Sequence, residues 1–174
     1  KTIDRILKLD PQNAEAYFMM GMTFKDMQDT ARAINSFQEA VDLNSNLIDG
    51  WLELGQLFTS LENPIAIQYF DNAIRVAPEN ITALHAKAFY LANTTNDLQA
   101  AIEVYETINA IDPQYEEAYF NAGLLYLDLD QPDKANEQFN IAVNVSPTHI
   151  RGYYFRGLTY EMLGNTTGAK ADYE

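Results

Sequence analysis

The chain has 174 residues, of which 11 are Lys or Arg and 25 are Asp or Glu, giving a formal net charge of −14. A hydrophobic content of 47 % is that of a folded chain rather than a disordered one, while the acidity argues against nucleic acid, which needs a basic face to displace phosphate counterions, and against docking on anionic membranes. No cysteine is present, which excludes disulfides, thiolate zinc sites and cysteine nucleophiles, and no apolar run approaches the ~18–20 residues of a membrane-spanning helix.

Residues 1–13 read as a helix stopped at Asp10–Pro11, since a proline bars the preceding residue from α conformation. From Ala14 a compound pattern begins. An aromatic is followed four residues on by Gly and three further on by an aromatic (Tyr17, Gly21, Phe24), and then come Ala33, Phe37, Ala40 and Ser45. Residues 48–80 repeat it as Trp51, Gly55, Phe58, then Ala66, Phe70, Ala73 and Pro78. Residues 81–115 carry a degraded copy, Leu84, Ala88, Leu91, then Ala101, Tyr105, Ile108 and Pro113. Residues 116–149 restore it with Tyr119, Gly123, Tyr126, then Ala135, Phe139, Ala142 and Pro147. From Ile150 the triplet Tyr153, Gly157, Tyr160 opens a fifth copy that stops at Glu174. Gly21 and Gly55 lie 34 residues apart, as do Gly123 and Gly157, and Pro113 and Pro147.

Spacings of three, four and seven place these residues on one helix face, and no segment shows the period-two alternation of a strand. Each copy therefore reads as two helices. Gly or Ala at the eighth place lets the second helix approach closely, and the aromatic near the middle of the second helix is expected to fill space between copies. Asn63–Pro64 reads as a helix cap with Pro at the first helical position, and Gln131–Pro132–Asp133 opens another helix in the same way. The inner turn of the second copy is one residue short. That of the third is one long, at Asn93–Thr94–Thr95–Asn96, an insertion expected on the surface without effect on packing.

The pattern resembles the tetratricopeptide repeat, a helix–turn–helix of 34 residues, along the whole chain. The resemblance implies an all-α fold, an α-solenoid in which antiparallel helix pairs wind into a right-handed superhelix. Residues 1–174 are then a single array, with 1–13 the second helix of a truncated repeat, 14–47, 48–80, 81–115 and 116–149 complete, and 150–174 partial. A chain that starts at Lys1 rather than Met, and starts and stops in mid-repeat, is expected to be a fragment of a longer array.

In this family the first helices line the concave groove, and places 2, 5, 6 and 9 of each repeat face the ligand. The residues implied for peptide binding are Phe18, Met19 and Met22; Leu52, Glu53 and Gln56; His85 and Phe89; Phe120, Asn121 and Leu124; and Arg151, Tyr154 and Phe155. Half or more are apolar, which suits an interaction surface, unless neighbouring first helices bury them against each other. Of the family's clamp for a C-terminal carboxylate only Asn121 and Arg151 have counterparts, so that ligand is disfavoured.

Catalytic features are sparse. The two histidines lie far apart, with His149 reading as a solvated boundary residue. Asp128–Asp133 lacks the central Gly and distal Glu of a calcium loop, and no glycine loop could cradle a phosphate. No metal or other cofactor is expected. The expected function is that of a non-enzymatic scaffold whose groove takes an apolar or amphipathic peptide or helix with basic flanks, drawn by acids concentrated in the four complete copies. Self-association into a homo-oligomer, or service as the regulatory arm of a longer multidomain protein, are the alternatives.

Overall fold

The computed structural model describes residues 2–174. Lys1, where the truncated repeat and the expectation of a missing native start both begin, lies outside the described residues. Those described form eleven α-helices and no strand: α1 (Thr2–Leu9), α2 (Ala14–Asp26), α3 (Thr30–Leu43), α4 (Ile48–Ser60), α5 (Ala66–Val76), α6 (Ile81–Asn93), α7 (Leu98–Ile111), α8 (Glu116–Asp128), α9 (Pro132–Val145), α10 (Ile150–Met162) and α11 (Thr166–Tyr173). They divide into two compact units, one up to Lys87 and one from Ala88 to Glu174. In the first unit α1 packs on α2, α2 on α3, α3 on α4 and α4 on α5. In the second, α7 packs on α8, α8 on α9, α9 on α10 and α10 on α11. Helices stacked on their sequence neighbours are the α-solenoid arrangement.

Local chemistry sets the helix ends. The side chains of Asn13, Asp29, Asp97 and Asn165 each accept a hydrogen bond from the backbone N–H three residues on, satisfying a donor that the helix itself leaves unpaired. Helices α1, α5, α7 and α9 stop two residues before Pro11, Pro78, Pro113 and Pro147, and Pro132 takes the first helical position of α9. Asn63–Pro64 does not cap α5. That helix starts at Ala66, and Ile65 before it already has helical angles. The Asn63 carboxamide accepts from Ile65 N at 3.1 Å and the Asn63 carbonyl from Ala66 N at 3.1 Å. With one turn residue missing, this tight three-residue bond stands where the other turns place a cap.

The inner turns share a feature without a residue-type signature. Each places one residue in the left-handed region, directly before the next cap at Gln28, Asn96, Asp130 and Gly164 and directly before Asn63 at Glu62. The following N–H then reaches back to the helix it leaves, from Asp29 to Phe24 at 2.8 Å, Asn63 to Phe58 at 2.9 Å, Gln131 to Tyr126 at 2.9 Å and Asn165 to Tyr160 at 2.7 Å. These bonds span five residues, as in a Schellman closure. In the copy with the insertion, Asp97 N reaches six residues back, to the Leu91 carbonyl at 2.9 Å.

Each core forms where a ring sits on a glycine. A Cβ added to Gly21 would lie 2.6 Å from the Phe37 ring, at Gly55 2.5 Å from Phe70, and at Gly123 2.6 Å from Phe139. The mid-helix aromatic therefore packs first on the glycine of its own copy. Phe139 also reaches the next copy, stacking on Phe155 with ring centroids 5.7 Å apart. Phe37, Phe70 and Phe139 are fully buried among alanines at 33, 40, 66, 73, 135 and 142. Arg156 anchors α11 to α10 through Nε to Asp172 Oδ2 at 2.8 Å.

Candidate functional site

The residues implied for peptide binding all lie on first helices, and the structure sorts them by what their neighbours leave open. In the first unit, Phe18 is half-buried, its ring 5.5 Å from that of Phe37. Met19 is 49 % exposed, Met22 half-buried and Gln56 exposed. Leu52 lies in the core. Glu53 pairs with Lys25 of α2, so this carboxylate joins α2 to α4 before it meets any ligand. His85 is half-buried on α6.

In the second unit they form two groups. Phe120, Arg151, Tyr154 and Phe155 belong to an aromatic cluster. Phe120 is only 3 % exposed, with Phe139 at 5.7 Å, Phe155 at 5.7 Å and the His149 ring at 4.8 Å, and the Arg151 guanidinium lies 4.6 Å from its centroid. This aromatic side chain is therefore packing rather than contact surface. Tyr154, edge-on to Phe155 at 5.3 Å, keeps 56 % of its surface exposed. His149 is not simply solvated. It is half-buried, and its Nδ1 accepts from Gly152 N at 2.8 Å, which makes it the cap of α10.

Phe89, Asn121 and Leu124 form the second group, around a cleft of about 280 Å³. Phe89, Ala92 and Asn93 from the end of α6 make one wall, with Phe89 54 % exposed. Asn121, Leu124, Leu125 and Asp128 of α8 make the other, while Asn96 of the inserted turn and Leu98 of α7 close one rim. Tyr105 of α7, which is 3 % exposed, also lines the cleft. Burial pushes its hydroxyl pKa up to about 12, and a hydrogen bond from Asn121 only partly offsets that. The phenol thus stays protonated and holds the Asn121 carboxamide in place. Asn93 Nδ2 is tied to the Phe89 carbonyl at 2.9 Å. Among the described residues lining the cleft, Asp128 alone is charged.

Asn93, Asn96, Leu98, Tyr105 and Asp128 were not among the expected binding residues. The sequence carried a signal for Asn93 and Asn96 alone, the extra residue at 93–96, whose turn lines one rim of the cleft. No group of three or more His, Asp or Glu side chains among the described residues is arranged to hold a metal ion, and no described helix is long and apolar enough to cross a membrane.

A tetratricopeptide repeat family model matches residues 14–47 and 116–149, which contain the helix pairs α2–α3 and α8–α9. The mitochondrial import receptor subunit TOM70 of Homo sapiens is 26 % identical over 167 residues, covering 90 % of this chain and 28 % of that protein. The chain spans 16 % to 34 % of the length of the curated relatives that match it over most of its own. Among solved structures, MamA overlays with a TM-score of 0.78 at 24 % identity, over 92 % of this chain and 87 % of MamA. YrrB, described as a tetratricopeptide repeat protein with an unusual peptide-binding site, overlays with a TM-score of 0.77 at 18 % identity, over 99 % of this chain and 89 % of its own. At these identities the overlays establish the fold. Residues 14–47 and 116–149 thus match the tetratricopeptide repeat by sequence, and the fold is that of solved tetratricopeptide repeat proteins.

Proposed function

We propose that the chain is a non-enzymatic scaffold that binds an apolar or amphipathic peptide segment on its first helices. One observation carries the reading. Phe89 holds more than half of its surface open to solvent beside a cleft walled by Leu124 and Leu98, although a helix that has already buried one face has no structural need for a second exposed aromatic. Met19 in the first unit and Tyr154 in the second are further exposed apolar contacts. The carboxamides of Asn93, Asn96 and Asn121 can both donate to and accept from a peptide backbone.

The test is affinity capture of partners with the wild-type chain and with Phe89→Ser. Phe89 is exposed, so the substitution leaves helicity by circular dichroism unchanged. Loss of a central aromatic contact of this kind typically costs ~2 kcal/mol of binding, or roughly thirtyfold in affinity. Undiminished capture by a helical Phe89→Ser chain would reject this surface.

A further inference from the structure

We propose that the cleft between the ends of α6 and α8 is a receptor for a cationic side chain, Arg or Lys, carried by the bound peptide. This rests on the peptide-binding reading above and names the chemistry that the cleft selects.

Three independent features agree. First, both first helices end at the cleft, α6 at Asn93 and α8 at Asp128. A helix C-terminus carries roughly half a negative charge, so two of them converge on one small volume. Second, the Asp128 carboxylate sits in the last turn of α8, where the helix dipole opposes it. It makes no ion pair within the described residues, and no lysine, arginine or histidine lines the cleft. A negative group placed against its own helix and left without a cation is complementary to a positive ligand. Third, the walls fit the rest of such a side chain. Leu98 and Leu124 match a methylene stem. The exposed Phe89 ring offers a face to a cation, and the carboxamide oxygens of Asn96 and Asn121 can accept from a guanidinium or ammonium. About 280 Å³ falls just below the ~300–1,000 Å³ of small-molecule sites, which suits one side chain rather than a whole ligand. An acidic ligand would be repelled by the Asp128 carboxylate, and a purely apolar one would make no use of it.

The experiment is selection of a library of short random peptides displayed on phage against the whole chain. The enriched peptides are then measured by fluorescence polarisation against wild type, Phe89→Ala and Asp128→Asn. The expected result is a family of peptides with an Arg or Lys at a fixed distance from an apolar residue. Their affinity should fall on the order of tenfold with Asp128→Asn, as for loss of one charge-assisted hydrogen bond. Their salt dependence should flatten in the same variant. Peptides that lose binding with Phe89→Ala but carry no fixed basic residue and ignore Asp128→Asn would overturn the cationic site and leave the peptide-binding surface standing. Selection of no peptide at all would overturn both.

Discussion

At Gly21, Gly55 and Gly123 an aromatic ring occupies the space where any other residue would carry Cβ. Adding that one carbon pits a methyl group against a fully buried ring, and overpacking of this kind typically costs ~1–3 kcal/mol. Gly55→Ala and Gly123→Ala are expected to lower the unfolding free energy measured in urea by that amount. Gly157→Ala should cost less, because its ring, Tyr173, is exposed and lies on the last short helix, where it can shift. Equal losses at all three sites would show that the rings do not set the cost. Tyr105 gives a pH-dependent counterpart. Its hydroxyl is held up to about 12 against ~10 in an unfolded chain. The unfolded chain thus loses this proton first. The stabilising contribution is complete below pH ~10 and disappears as the pH rises toward about 12. Tyr105→Phe should remove this part of the alkaline loss in urea titrations across that range, and an unchanged alkaline profile would contradict the assignment.

The helices show which boundaries are legible in residue type and which are not. Prolines mark the ends of α1, α5, α7 and α9, because a residue before proline cannot hold α conformation. Asn63–Pro64 misleads because the same residues serve a tight turn when one residue is missing. His149 was illegible for a different reason. Its role depends on Nδ1 reaching Gly152 N and on its ring meeting Phe120, which lies on another helix. To accept that bond Nδ1 must be unprotonated, with the proton on Nε2. His149→Ala should cost ~1 kcal/mol of stability relative to His149→Asn, since Asn retains a capping oxygen. Chemical denaturation of the two variants measures the difference directly. Identical stabilities would mean that His149 acts through ring packing alone.

At the scale of the whole molecule, the repeat frame was open to sequence reading because three copies bury a phenylalanine ring on a glycine, so the spacing recurs. The binding surface was less so. The family resemblance implies ligand-facing places for Phe120 and Phe89 alike, but Phe120 is covered by Phe139, Phe155 and His149 while Phe89 is left open. Which of them is covered depends on neighbours brought in by other helices, and no single-helix pattern contains that. The cleft was hidden in a count, one extra residue at 93–96, whose meaning depends on where the turn lies. The net charge of −14 can steer a basic partner from a distance, yet among the described residues only one carboxylate, Asp128, lines the cleft itself. The most direct measurement is amide hydrogen exchange of the whole chain, with and without a peptide selected as above. Protection is expected at residues 88–97 and 116–128, the end of α6 with the inserted turn, and α8. Protection confined to α3, α5 or α9, with those segments unchanged, would contradict the account.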